Sequence, residues 1–298
     1  MSEKQPRLYF SFGRLWTISQ NTMTEIIRQK FFYILVFFGI ALMVSSIYFS
    51  QFSSAESAQA KFIKDFGLAA IKIFGTLIAM VGTAQLLPME LDNRTIYPIL
   101  AKPVHRGEFL MGKWFGMVTL LLITTLLMSV IFSAVLFYTE NQLKAAVEGG
   151  TSLKPGVQMS EADSYKEIEK QTRDPALVKA VALIYFQMVM MSAMTLLVAT
   201  FSTSVIFTVI ASVMVYMCGH LVSTARAEWT DSNSVPAKIM LLLVSFFIPD
   251  LGKFDVVDFV VIGQVVPWKY VLNTIGYGVV YSGVTLLVSY FIFQEKEI

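Results

Sequence analysis

Residues 107–114 are the part of the sequence that comes nearest to a nucleotide-binding motif. They read Gly-Glu-Phe-Leu-Met-Gly-Lys-Trp and match Gly-x4-Gly-Lys, the first part of a P-loop. Trp114, however, stands where a Ser or Thr must hold Mg²⁺, and the glycines lead into a long apolar run instead of following a buried strand. We therefore expect no ATP site in this chain, so ATP and Mg²⁺ would have to be bound by a partner subunit.

The other residues that could support chemistry are scattered. His105 and His220 lie on different segments, Cys218 is the single cysteine, and no metal-ligand spacing connects them. No Gly-x-Ser-x-Gly elbow is present, and no pair of carboxylates within an apolar run suggests acid–base catalysis. The sequence predicts a non-catalytic protein that has no metal or cofactor of its own.

The composition is that of an integral membrane protein. Of 298 residues, 55% are hydrophobic and only 15% are charged, and the mean hydropathy is +0.63. A soluble globule of this length cannot hide so much apolar surface, which excludes a soluble enzyme and a disordered chain. The formal net charge of +2 gives no basic field for nucleic acid, so no nucleic-acid partner is expected.

Six apolar runs are long enough to cross a membrane as helices, which predicts an all-α fold in a single transmembrane domain, 1–298. The first run begins well inside the chain and is of full spanning length, so we expect it to be retained rather than cleaved as a signal peptide. The predicted spans are residues 31–49, 66–87, 114–138, 180–201, 205–222 and 271–293.

Lys and Arg decide the predicted orientation. Their totals are nearly balanced between the two sides, but the long 139–178 loop contributes many of those on one side, and long loops weigh less in the rule. Arg28 and Lys30 directly before the first span are the best local signal. We expect a multi-pass protein of the bacterial cytoplasmic (inner) membrane, with both termini in the cytoplasm.

Three segments outside the spans have recognisable patterns. Residues 8–30 predict an amphipathic interfacial helix, which either anchors the chain to membrane lipid or also touches a cytoplasmic partner. The 139–178 segment predicts an extracytoplasmic loop with a short charged helix over 160–170. Between spans five and six, the half-length apolar runs 238–248 and 256–266 predict outer re-entrant or interfacial helices, or packing elements.

Charged residues are nearly absent from the predicted spans. Lys72 lies near an outer end, where it could extend its ammonium group towards water, and Lys179 and His220 also lie near outer ends. This deficit argues against a proton-coupled carrier and a hydrophilic channel. It favours a protein that moves a lipid-like or bulky cargo, or that transmits force, with energy supplied by another chain.

Residues 88–113 form a short loop, cytoplasmic on this topology, in which apolar residues lie among charges and prolines. Such a segment suits docking to another protein better than a flexible linker. It also resembles the hallmark of the ABC type-2 permease family, the membrane subunits of many bacterial ABC exporters. The resemblance rests on Glu90, Thr95, Ile96, Ile99, Leu100, the run Pro103-Val104-His105-Arg106, Glu108 and Gly112-Lys113, and on the tail at 293–298.

The resemblance implies a mechanism. Two permease copies, as a homodimer or with a related permease, would pair with two ATP-binding cassette ATPase subunits. The 88–113 segment would act as a coupling helix that docks Ile96, Ile99 and Leu100 into the ATPase. Glu90 would pair with Arg106 or Lys113, the 200–204 turn would make a secondary contact, and Pro98 and Arg94 depart from the family pattern. The expected ATPase contacts are Glu90, Arg94, Thr95, Ile96, Ile99, Leu100, Pro103, Arg106 and Lys113.

Three interpretations therefore stay open. The first is an ABC exporter permease, and the second is a force transmitter of the same family that drives an extracytoplasmic partner through 139–178 without moving cargo. The third is an ATPase-independent carrier or a membrane scaffold.

We predict that Glu90→Ala or Leu100→Asp uncouples ATP hydrolysis from function without preventing membrane insertion, because each removes a docking contact. ATPase activity and function are measured together on the purified complex. Unchanged coupling in both variants would contradict the docking assignment, as would labelling of 88–113 by a membrane-impermeant reagent in intact cells.

Overall fold

A computed structural model describes residues 11–50, 56–88, 106–148, 161–231 and 248–295. These residues contain nine α-helices and one short 3-10 helix, Leu251–Phe254, and no strand lies among them. The α-helices are α1 Phe12–Ile27, α2 Lys30–Ser50, α3 Glu56–Gln85, α4 Arg106–Glu148, α5 Glu161–Thr172, α6 Ala176–Phe201, α7 Val205–Asp231, α8 Val257–Ile262 and α9 Trp268–Glu295.

Six of these helices, α2, α3, α4, α6, α7 and α9, are long and apolar enough to cross a membrane. The prediction of an all-α protein with six spanning helices is therefore confirmed. The predicted short charged helix corresponds to α5, and the run 256–266 contains the six-residue α8. The run 238–248 falls almost entirely outside the described residues.

Helix α6 lies at the centre of the fold. It contacts α3, α4, α7 and α9, and most of its side chains are buried, including Met188, Met190 and Met191. Methionine fills irregular gaps between helices because it is unbranched and flexible. The outer helices instead expose large apolar side chains, such as Phe37 on α2, Ile206 on α7 and Leu272 on α9, which suits contact with lipid.

Helix α4 is longer at both ends than the predicted span 114–138. It begins at Arg106, so the last part of the predicted 88–113 loop is helical, and it ends at Glu148, so the first part of the predicted 139–178 loop is helical too. One ion pair within the helix and one to a residue distant in sequence hold the extension. Glu140 is buried and pairs with Lys144 at 2.6 Å and with Arg173 at 3.1 Å.

The short helix α5 packs against this extension. Ile168 of α5 is buried against Leu143 and Val147 of α4 and Ala60 of α3. Arg173, just after α5, provides the ion pair to Glu140. The polar end of α4 and the short helix α5 therefore stabilise each other. Apolar residues such as Ile168 and the carboxylate of Glu140 both have partners outside their own helix.

Helix α1 packs closely on the start of α4 because α4 has glycines there. A Cβ atom added at Gly116 would lie 2.6 Å from the backbone oxygen of Ser19, and one at Gly112 would lie 2.8 Å from Ile18. The spacing Gly112-x3-Gly116 places both glycines on one face of the helix, and small residues at this spacing let two helix backbones approach.

We predict that Gly116→Ala lowers the free energy of unfolding by about 1–3 kcal/mol, since the new methyl group meets backbone rather than a movable side chain. Thermal unfolding of the purified protein in detergent measures the change. The matched control is Gly283→Ala on α9, where a Cβ meets nothing within 4 Å and alanine favours the helix. An equal loss in both variants would contradict close packing at Gly116.

Candidate functional site

The candidate site is the segment 88–113, whose two ends the structure describes. Arg106 and Lys113 lie on the first turns of α4. The other predicted ATPase contacts lie outside the described residues: Glu90, Arg94, Thr95, Ile96, Ile99, Leu100 and Pro103. The described contacts therefore lie at the two ends of the segment, where it joins the membrane helices. We call this region the root of the segment.

Lys113 joins the two ends of the segment. Its side chain is buried, and its Nζ donates a hydrogen bond of 2.9 Å to the carbonyl oxygen of Leu86, just after the end of α3. Carbonyl groups at a helix end have no partner within the helix and attract cations. The same Nζ lies 5.3 Å from the centre of the Phe109 ring. The predicted pair of Lys113 with Glu90 involves a residue that is not described, whereas this contact fixes the start of α4 to the end of α3.

Arg106 joins the segment to the last helix of the chain. Its Nη1 donates to the carbonyl oxygen of Gln294 at 2.9 Å and to that of Phe293 at 3.3 Å. Both acceptors lie in the last turn of α9. The predicted pairing of Arg106 with Glu90 is not described either, but Arg106 braces the segment in a different place, at the end of α9.

An apolar cluster fills the space between these polar contacts. The Phe109 and Phe293 rings are nearly parallel, with their centres 6.2 Å apart, and Trp114 Nε1 donates to Ser192 Oγ of α6 at 3.0 Å. Residues just after α3 and from α4, α6 and α9 meet here. We call the buried members the root cluster: Leu87, Phe109, Leu110, Ala193, Leu196, Ala199, Leu286 and Phe293.

Glu108 attaches helix α1 to the same place. The carboxylate is fully buried and accepts the Ser11 backbone N–H at 2.7 Å. Arg14 donates to both carboxylate oxygens, from Nε and from Nη2, at 2.9 Å each. This two-pronged geometry is the strongest arrangement of an arginine and a carboxylate. The hydrogen bond to Glu108 raises the pKa of Arg14, so its charge persists at any ordinary pH.

Sequence reasoning assigned Glu108 to the family motif only and did not pair it with Arg14. A signal was present, because Glu108, Gly112 and Gly116 follow one another at spacings of four and therefore share the face of α4 that contacts α1. Arg14 is the one charged residue in the stretch 11–24. A single charge in such an apolar and small-polar stretch suggests an anionic partner on a neighbouring helix.

The two faces of α1 differ in character. Ser19 and Thr22 are buried against α4, whereas Phe12 is 80% exposed and Trp16 is 59% exposed. Small polar residues on the inner face allow the close approach to α4, and aromatic residues on the outer face are typical of a helix at a membrane surface. The position of α1 relative to a membrane stays a prediction.

The turn predicted as a secondary contact joins α6 to α7. Ser202 Oγ accepts the Ser204 N–H at 3.1 Å and donates to the Ser204 carbonyl at 2.9 Å, which closes the turn locally. Phe201 next to it is 55% exposed. Because Ala199 of the root cluster lies two residues before Phe201, the turn lies near the root of 88–113.

Lys72 has a partner that the sequence does not predict. Its ammonium group pairs with the Asp255 carboxylate at 2.6 Å, between the 3-10 helix and α8. Asp255 lies 183 residues further along the chain, so spacing in the sequence gave no hint of this pair. Among the described residues, no group of three or more His, Cys, Asp or Glu side chains could hold a metal ion.

Comparison with known proteins adds one finding. Residues 25–153 match the family model described as ABC-2 family transporter protein. The matched region includes α2, α3 and α4 together with the whole 88–113 segment. The match confirms the resemblance to the ABC type-2 permease family. No curated protein matches the chain.

We predict that Arg14→Ala lowers the midpoint of thermal unfolding by at least about 3 °C, because it leaves a buried carboxylate without its guanidinium partner. The control is Arg28→Ala, at the exposed end of α1, which should change the midpoint little. Adding Glu108→Gln to Arg14→Ala should recover part of the loss, since the buried charge is then gone. No recovery in the double variant would show that Arg14 acts through packing rather than through charge.

Proposed function

We propose that this chain is the permease subunit of an ABC transporter, and that a separate ATP-binding cassette subunit grips it by the 88–113 segment. The single observation that carries the proposal is the double anchoring of the segment within the region that matches the family. Lys113 ties its end to α3, and Arg106 ties it to α9. A surface loop that transmits no force would not need such anchors.

The anchors determine how a push on the segment would be transmitted. Residues from α4, α6 and α9 and the chain just after α3 are packed into one root cluster, and a packed core moves as a unit rather than deforming. Closure of the ATPase would therefore tilt these helices together, which is the rigid-body type of transition. ATP and Mg²⁺ would be bound by the partner.

Helix α1 would move with the same unit. The Glu108 carboxylate holds both Ser11 and Arg14, so a displacement at the start of α4 carries α1 along. With Phe12 and Trp16 exposed, α1 presents an apolar surface at the root of the segment. We propose that this surface rests in the lipid interface beside the ATPase.

The interior supports a bulky or lipid-like cargo. The buried cluster is built mainly from aliphatic residues and methionines of α3, α4 and α6. Such an interior does not resemble the water-filled path of a small polar solute. The cargo would move along the surface between this chain and a second permease copy, where α2, α7 and α9 expose apolar side chains. The second copy would be identical, or a related permease.

A second candidate is the force transmitter that moves no cargo, and one observation favours it. Helix α4 runs without a break for 43 residues from the root of 88–113 to Glu148. Its far end is braced by Arg173 and packed against α5. A continuous helix of this kind could carry motion from the ATPase to an extracytoplasmic partner bound to 139–178. An ATPase-independent carrier or scaffold has less support, because the family match implies an ATPase partner in general.

The test is affinity purification of the full chain from membranes that also contain its ATPase. We expect an ATP-binding subunit to co-purify, and Lys113→Met to remain inserted while ATP-driven work per ATP hydrolysed falls several-fold. The control Lys269→Gln lies at the start of α9, far along the chain from the root cluster, and should behave like the unaltered protein. A chain that is stable and functional with no ATPase bound would overturn the proposal.

Reconstitution of the complex separates the two candidates. ATP-dependent loss of a cargo from vesicles supports the exporter. Shortening the chain within 150–170 should disrupt a force transmitter strongly and a simple exporter weakly.

A further inference from the structure

A second site lies at the ends of the helices opposite the root cluster. There α3, α5 and the turn after α8 enclose a cavity of about 660 Å³, within the size range of small-ligand sites. Its lining is divided into a cationic part and an apolar part. The lining residues are Lys61, Lys64, Lys166, Lys170, Gln171, Arg173, Asp174, Pro175, Val261, Ile262, Gly263 and Val265.

The cationic part is poorly compensated. Four lysines line the cavity, Lys61 and Lys64 from α3 and Lys166 and Lys170 from α5. The structure records no hydrogen bond or ion pair for any of these four in the described chain. Asp174 is the one carboxylate among the lining residues, and its Oδ1 is already used to accept the Ala176 N–H at 2.8 Å at the start of α6. Like charges gathered without counterions repel one another, and an anion between them relieves the repulsion.

Lys64 is the most informative of the four. The residue is only 2% exposed, yet it lines the cavity, and Asp174 is the opposite charge that acts on it. Burial costs an ammonium group part of its hydration, which nearby anionic partners replace. Arg173, by contrast, is already paired with Glu140 and Glu169. The cavity therefore holds a largely buried lysine that shares one lining carboxylate, Asp174, with three other lysines, so a bound anion would supply a further partner.

The apolar part belongs to the turn that ends α8. Gly263 takes the left-handed conformation, with φ of 84°, and its neighbour Gln264 donates its N–H back to Phe259 at 2.8 Å. This turn holds Ile262 and Val265 out from the fold, 64% and 87% exposed. Exposed aliphatic side chains beside a cationic cavity suit a molecule with an anionic head and an apolar tail.

We infer that this cavity binds the phosphate-bearing headgroup of an anionic lipid, with Lys64, Lys166 and Lys170 on the phosphate and the lipid tail against Ile262 and Val265. Nothing in the proposed ATPase contact uses these residues. On the proposed topology the cavity lies on the extracytoplasmic side of the membrane, and only that placement rests on the proposed function.

The test uses the full-length protein purified in a neutral detergent, with no ATPase present. Binding of dioctanoyl phosphatidylglycerol, dioctanoyl phosphatidylcholine and glycerol 3-phosphate is measured by titration calorimetry. We expect phosphatidylglycerol to bind at least about ten times more tightly than either of the others, as a charge-assisted contact with lysines and an apolar contact together require.

Two variants and one control identify the site. Lys64→Met should weaken phosphatidylglycerol binding by about tenfold or more while leaving the unfolding midpoint unchanged or higher, because a buried charge with no hydrogen bond or ion pair among the described residues is removed. Lys166→Gln combined with Lys170→Gln, both on the surface of α5, should weaken binding to a similar degree. Lys269→Gln, an exposed lysine that does not line the cavity, should leave binding within about twofold of the unaltered protein.

Three results would overturn the inference. Equal binding of phosphatidylglycerol and phosphatidylcholine would show that the anionic charge is not recognised. Equal binding of glycerol 3-phosphate would assign the cavity to a soluble phosphate and not to a lipid. Unchanged binding in both lysine variants would move the site elsewhere. Since no ATPase takes part, any of these results leaves the proposed coupling through 88–113 untouched.

Discussion

The buried ammonium group of Lys113 on the carbonyl oxygen of Leu86 is the constraint on which the candidate site depends. It holds the two ends of a long connection together at the point where both enter the membrane helices. Without it, the start of α4 would carry a buried cation with one partner fewer, and the end of α3 would keep an unsatisfied carbonyl group. The root cluster around Phe109 and Phe293 packs on the geometry that this bond sets. Glu108, which attaches α1, lies on the same first turns of α4.

The two ends of the molecule are built on different physical principles. At the root cluster, each described charge has an oxygen partner: Lys113 and Arg106 on backbone carbonyls, and Arg14 on Glu108. At the opposite end, Glu140 and Asp255 are paired, but the four lysines around the cavity have no hydrogen bond or ion pair within the described part of the chain. Paired charges stabilise one arrangement of helices, whereas unpaired charges attract a ligand. This contrast supports the proposal of a mechanical role at one end and a binding role at the other.

Much of the fold could be predicted from the sequence, because spanning helices depend on local properties. Twenty apolar residues in a row are enough to specify each crossing, and the charge pattern and serine of 160–170 were enough to specify α5. The length of α4 could not be predicted, since Glu140 and its polar neighbours look like the end of a span. Part of what holds them helical is the pair with Arg173, 33 residues away. Of the candidate site, the structure describes the motif residues Arg106 and Lys113, which contact helix ends, and their role as ATPase contacts stays a prediction. Their partners are backbone carbonyl groups, which every residue carries, so no residue type indicates them. The partner of Glu108 lies 94 residues away, and no spacing in the sequence indicates it.

The uninterrupted course of α4 has a geometric consequence. At a rise of about 1.5 Å per residue, its 43 residues form a rod about 65 Å long, roughly twice the thickness of the hydrocarbon layer. Pivoting such a rod by about 5° at its base sweeps its tip through about 6 Å, the scale of one helical turn. A small rotation of α4, driven by an ATPase at one membrane surface, would thus be amplified along the helix. The displacement beyond the other surface would be large enough to open or close a gate.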